Sequence, residues 1–239
     1  MTVAQLGALA STDLAGHDVL LLVPLGATEQ HGPHLPLDTD TRIAEEIAHR
    51  GAARLGRADD GGLVVLAPPL SYGASGEHEA FAGTVSIGHD ALHAVLLEYG
   101  RSACRWARRL VFVNGHGGNL ATLAEVVATL RYEGRDAGWF ACAAPGFDAH
   151  AGHAETSMLL AFAPEAVDLT RAVPGNSAPL AQLLPELRRG GVAAVSPNGI
   201  LGDPTAAAAD HGEALLATIV DGLVCAVDTW EPTQQGRLS

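Results

Sequence analysis

The chain of 239 residues sets 14 cationic side chains against 27 carboxylates and 11 histidines, a formal charge of −13. It contains no lysine, which excludes mechanisms built on an amine nucleophile, a Schiff base or a phosphate-gripping ammonium. The acidic balance disfavours a nucleic-acid partner, and 48% hydrophobic residues can build the core of one domain over 1–239.

The N-terminal stretch has no basic region ahead of its short apolar runs, so no signal peptide is expected. Residues 19–25 (Val-Leu-Leu-Leu-Val-Pro-Leu) read as a buried strand. Residues 39–55 read as a helix with Ile43, Ala44, Ile47 and Ala48 on one face. A second strand is expected at 63–67, then a Gly- and Pro-rich loop over 68–88. A helix over 90–108 follows, its end capped by the basic run that includes Arg105, Arg108 and Arg109.

A third strand at 110–113 runs into Asn-Gly-His-Gly-Gly-Asn (114–119) and a helix over 120–131. A fourth strand is expected at 137–143, a short helix at 153–162 and a C-terminal helix at 213–230, with the alanine run 206–209 at its start. Between them, 174–205 reads as an irregular excursion that serves as a lid or a subunit contact. No apolar run approaches bilayer length, so no membrane span is expected. Cys104, Cys142 and Cys225 form no CxxC pair and are odd in number, which fits a reducing cytoplasm.

Strand and helix patterns alternate, which argues for an α/β layer fold with a mostly parallel sheet. Ligands in such folds collect beyond the carboxyl ends of strands. The reactive residues fall there: Glu29 and His31 after the first strand, His116 after the third, His150 and Glu155 after the fourth.

Thr-Glu-Gln-His-Gly-Pro-His-Leu-Pro-Leu-Asp-Thr-Asp (28–40) holds two imidazoles and three carboxylates. In an extended segment Glu29 and His31 share a side. Asp38 or Asp40 alone reads as a helix cap, but within this cluster Asp40 is a candidate ligand. Oxygen and nitrogen donors without thiolate suit Zn²⁺, Mn²⁺ or Fe²⁺, and a carboxylate can bridge two ions. His116 stands among glycines at a strand end. The alternative there, a phosphate loop, lacks both lysine and the GxGxxG spacing. In His-Ala-Gly-His-Ala-Glu-Thr (150–156), Glu155 lies in a first helical turn, and either His150 or His153 is a candidate ligand or proton carrier. The loop 71–84 offers Ser75, Glu77, His78 and Thr84 to a substrate.

These segments, in this order, resemble the creatininase family of dinuclear metal amidohydrolases. The likeness rests on Glu-Gln-His-Gly-Pro-His-Leu-Pro (29–36), Asn-Gly-His-Gly-Gly-Asn (114–119) and His-Ala-Gly-His-Ala-Glu-Thr-Ser (150–157). Within the family, a peptidase branch is indicated by Tyr-Gly-Ala-Ser-Gly-Glu-His (72–78), Gly-Arg-Asp-Ala-Gly-Trp (134–139), Arg-Arg-Gly-Gly-Val-Ala-Ala-Val (188–195) and Gly-Asp-Pro-Thr (202–205). The resemblance implies a three-layer α/β/α sandwich and two divalent metal ions per chain (Zn²⁺, Fe²⁺ or Mn²⁺). It makes Glu29, Asp40 and His116 ligands of one ion and His31, Asp40 and Glu155 ligands of the other, with Asp40 bridging. His150 would protonate the departing amine, and Glu155 would also anchor the attacking water.

Gly118 stands where creatininase itself carries a metal-binding acid, and Ala82 where many members have proline. Both departures weaken creatinine as the substrate. The branch instead implies a homo-oligomer that removes a C-terminal Val-Tyr dipeptide from a modified precursor peptide, during biosynthesis of a peptide-derived redox cofactor. The alternatives are hydrolysis of a cyclic amide or formamide, and a metal-binding scaffold without activity. The scaffold reading expects a lost ligand, yet all five ligand positions are filled.

Overall fold

The computed structural model of the protein describes residues 3–56, 62–144 and 146–239. Their strands are β1 (Ala4–Gln5), β2 (Val19–Leu25), β3 (Leu63–Leu66), β4 (Arg109–Asn114) and β5 (Ala137–Ala141), in the spatial order β1-β3-β2-β4-β5. Every pairing in this sheet is parallel. The helices are α1 (Ser11–Leu14), α2 (Thr39–Leu55), α3 (Gly88–Ala103), α4 (Leu120–Tyr132), α5 (His153–Phe162), α6 (Leu180–Val195) and α7 (Ala209–Thr229).

The strands read as continuous apolar runs because both faces are covered. Leu21, Val23 and Leu25 of β2 pack with Leu92 and Leu96 of α3 and with Leu123 and Leu130 of α4. Leu22 points the other way, into a cluster with Ile43 and Ile47 of α2, Met158 of α5 and Leu223 of α7. Alternate side chains thus feed opposite cores, which makes the three-layer α/β/α sandwich. No described helix is long and apolar enough to cross a membrane.

Beside shifts of one or two residues at other ends, such as the fourth strand stopping at Ala141, three departures from the expected elements stand out. α3 stops at Ala103, so the basic run does not cap it. Arg108 spends its backbone N–H on the Val19 carbonyl at 2.9 Å and pairs with Asp18 at 3.1 Å, while Arg109 already belongs to β4. α7 begins at Ala209, and Ala208 is extended with its N–H donating to Ser157 Oγ at 3.1 Å. The excursion 174–205 is not irregular throughout, because it contains α6, broken at Gly191 (φ 69°) and carrying Pro185 inside. Proline and the paired glycines hid that helix, although its leucines recur at helical spacing.

Candidate metal centre

From β2 the chain winds outward to β3, and from β4 it winds the other way to β5. The carboxyl ends of the central pair therefore form the switch point where such sheets bind ligands. Leu25 and Asn114 are register partners, so both strands end level. Glu29 and His31 leave from one, His116 from the other. A Cβ on Gly26 would stand 2.5 Å from the Thr41 nitrogen, and one on Gly115 would collide with the Asp40 carbonyl oxygen. The two glycines thereby let the start of α2 sit against both strand ends and bring Asp40 between them. Asp38, not Asp40, is the N-cap residue of α2, and its side chain pairs with Arg42 at 2.7 Å.

Glu155 enters from the first turn of α5. Asp148 ties down that helix start by accepting hydrogen bonds from the N–H groups of His153 and, at 3.0 Å, Ala154. Glu155 Oε2 accepts from the Ala151 N–H at 2.6 Å.

Glu29, His31, Asp40 and His116 are all buried. Asp40 stands between the two imidazoles, Oδ1 3.0 Å from His31 Nε2 and Oδ2 3.2 Å from His116 Nδ1. Glu29 Oε1 is 3.2 Å from His116 Nδ1, and Glu155 Oε2 is 3.8 Å from His31 Nε2. Backbone carbonyls assign the tautomers: His31 Nδ1–H donates to the Glu29 carbonyl and His116 Nε2–H to the Ala74 carbonyl, each at 3.1 Å. A ring made neutral by binding metal would then aim its lone pair at the carboxylates.

Lone pairs facing carboxylates demand a cation between them. Both Glu29 oxygens and Asp40 Oδ2 are buried without a hydrogen-bond partner, a costly arrangement unless a cation compensates. Protonation equilibria of the bare cluster tell the same story. Burial opposes the His31 imidazolium, yet Asp40, Glu155 and Glu29 raise its pKa to about 10. His116 is likewise raised against its burial, by Glu29 and Asp40. Burial, then Asp40, raises Glu29, and burial pushes Glu155 up to about 7. Asp40 is held low despite burial by His31 and His116. Without metal the cluster attracts protons as substitute cations.

Ligand atoms of Glu29, His31 and His150 lie within 4.8 Å of one another, and so do those of two further groups, Glu29 with Asp40 and His116, and His31 with Asp40 and Glu155. The latter two groups coincide with the ligand sets implied by the resemblance, and their O/N donors fit Zn²⁺, Mn²⁺ or Fe²⁺. Gly118 has no room for a side chain, since a Cβ there would collide with the Ala74 carbonyl oxygen and His116 Nε2.

A second ring of groups orients the first. His150 Nε2–H donates to the Gln30 carbonyl at 2.7 Å, which turns Nδ1 toward Glu29 Oε1, 3.7 Å away. Burial, with His31 and His78 nearby, holds its pKa well below the ordinary imidazole range, so the ring is neutral. His78 accepts from Gln30 Nε2 at 2.9 Å and places its own Nε2 3.3 Å from Glu29 Oε1. His153 faces elsewhere, with Nε2 3.3 Å from His211 Nδ1. The left-handed turn at Ala151 (φ 52°) separates the two histidines. Thr156 and Ser157 serve structural ties, to His34 and to the Ala208 N–H.

A cavity of about 400 Å³ opens from this cluster to Phe147 and α6. Of the four residues expected from loop 71–84, Glu77 and His78 line it, and Glu77 Oε1 stands 3.6 Å from His116 Nε2. Ser75 and Thr84 do not. Ser75 is buried with its N–H donating to Ser86 Oγ, and Thr84 Oγ1 accepts from the Gln30 N–H at 3.1 Å. Sequence reasoning missed Gln30, although it lies inside the first motif, and the apolar wall contributed by α6.

The profile of the creatininase family, described as creatinine amidohydrolase, matches residues 7–227. The chain is 58% identical to the mycofactocin precursor peptide peptidase of Mycobacterium ulcerans (strain Agy99), over 98% of its own length and 95% of that protein. It is 30% identical to the creatinine amidohydrolase of Pseudomonas putida, over 92% and 93% of the two chains. Among solved structures, the manganese form of creatininase superimposes with a TM-score of 0.79 at 28% identity, over 97% of this chain and all of that one.

Proposed function

From the premise that the chain belongs to the creatininase family of hydrolases, we propose that it is a metal-dependent peptidase acting on the modified mycofactocin precursor. It releases a C-terminal Val-Tyr dipeptide by hydrolysis of the preceding amide. The observation that carries this reading is the 58% identity, sustained over nearly the full length, to the mycofactocin precursor peptide peptidase. Hydrolysis of a cyclic amide or formamide is the second reading, and the 30% identity to a creatinine amidohydrolase favours it far less. Offering the protein both the precursor peptide and creatinine separates the two.

Glu29, Asp40 and His116 would hold one divalent ion, and His31, Asp40 and Glu155 the other. Zn²⁺, Mn²⁺ and Fe²⁺ all suit these donors. When bound, the pair supplies positive charge that polarises the scissile carbonyl and lowers the pKa of an attacking water. The residues do the rest. Glu155, steadied by the Ala151 N–H, anchors that water. His150 Nδ1, unprotonated at rest and turned toward the cluster, takes the water's proton and hands it to the departing amine. Glu77 and His78 line the peptide's path, while Thr84 holds the Gln30 backbone. The active form is a cytoplasmic homo-oligomer, and the three free thiols support a reducing location.

His150→Ala is expected to keep its metal and lower kcat by about 10²–10⁴, the range of general acid–base catalysis. Elemental analysis alongside steady-state kinetics checks this. An unchanged kcat removes His150 from the mechanism.

A further inference from the structure

The cavity has two chemically different ends. One end holds the carboxylates and imidazoles. The other is lined by Leu180, Leu184 and Leu187 of α6, with Phe147, Val192 and Leu201. Leucines at i, i+4 and i+7 occupy one helical face. Behind them Leu183 is buried against Val192 and Leu201, so the leucine face is braced by a small core of its own.

That core is fastened to the proton carrier. The Leu201 N–H donates to the His150 carbonyl at 2.9 Å, and the His150 N–H returns a bond to the Leu201 carbonyl at 3.2 Å. The apolar wall is therefore tied directly to the segment that carries the proposed proton donor. No arginine is among the described residues that line the cavity, and the chain has no lysine. An ion pair from the wall to a terminal carboxylate is not on offer, which leaves burial of side chains as the source of selectivity.

We propose that Leu184 and Leu187, with Leu180 at the rim and Phe147 in the same cavity, determine specificity by burying the bulky apolar side chains of the departing dipeptide. This rests on the peptidase reading above. The pocket prefers a branched or aromatic residue on the leaving side and is indifferent to whether the dipeptide ends in a carboxylate or an amide.

Product inhibition of precursor cleavage by the metal-loaded enzyme tests it, with Val-Tyr, Val-Tyr amide and Gly-Gly as probes. Val-Tyr should inhibit about 10–200-fold more tightly than Gly-Gly, the range spanned by small differences in an apolar pocket, and its amide should match it. Leu184→Asn should raise the inhibition constant of Val-Tyr about tenfold or more while leaving that of Gly-Gly and the metal content unchanged. Leu184→Met, which keeps volume and apolarity, should behave as wild type. Equal inhibition by Val-Tyr and Gly-Gly overturns the proposal, as does a wild-type response from Leu184→Asn or a large preference for the free acid over the amide. Should the unaltered enzyme fail to cleave the precursor at all, the peptidase reading falls first and the proposal with it.

Discussion

Asp40→Ala is expected to lose both metal ions at once and, with them, nearly all activity. Asp40 is 2% exposed and presents opposite oxygens to His31 and His116, so it is the carboxylate that the two proposed ligand sets share. Removing it leaves two donors from this chain in each group, Glu29 with His116 and His31 with Glu155. A Lewis-acid contribution of several kcal/mol, at tenfold per 1.36 kcal/mol, sets the expected fall in kcat/KM at about 10³–10⁴ or more. Asp40→Asn keeps the shape and isolates the effect of charge. Elemental analysis that finds two ions per chain in Asp40→Ala would refute the bridging position.

The second large effect is on stability. Three buried carboxylate oxygens without hydrogen bonds are tolerable only with a cation nearby. On the proposed reading, metal would bind this arrangement in the folded chain and not in the unfolded one. At a free concentration of about 1,000 Kd it should therefore stabilise by about 4.1 kcal/mol. For a chain of this size each kcal/mol moves Tm by about 2–4 °C, so stripping with a chelator should lower Tm by roughly 8–16 °C. Refilling with Zn²⁺, Mn²⁺ or Fe²⁺ should restore Tm and activity together. Thermal scans of wild type and Asp40→Ala make the comparison. A wild-type Tm indifferent to chelation, or a full response in Asp40→Ala, would mean that the cluster is not where the cation binds.

Much of this architecture is legible before any coordinates. The bounds of β2, α2 and α5 follow directly from apolar runs, a helical face and a glycine at position 152. The four motifs follow strands, and the sheet order brings two of them to one switch point, which α5 and the loop after β3 then reach. What stayed hidden has physical causes. β1 spans only Ala4–Gln5, too short for any periodicity. α6 carries Pro185 and breaks at Gly191, so its composition imitates a loop while Leu180, Leu184 and Leu187 keep helical spacing. His150 and His153 are three residues apart, a spacing that would place them on one face of a continuous helix. The backbone turns left-handed at Ala151 before α5 begins, and the two rings part company. Gln30 is an amide in a motif rich in acids and imidazoles, with nothing in its spacing to mark it, yet its side chain donates to His78 and to the Gly199 carbonyl and its backbone carbonyl accepts from His150. Hydrogen bonding of that kind depends on packing between segments more than a hundred residues apart, which spacing within one motif does not encode.

The most direct test of the central claim is mass spectrometry of the modified precursor peptide after incubation with metal-loaded protein. The expected result is two products, a peptide shortened by the mass of Val-Tyr plus the free dipeptide, with neither formed by chelated protein or by Asp40→Ala. An intact precursor beside fully metal-loaded protein, or the same cleavage by metal-free protein, would contradict it.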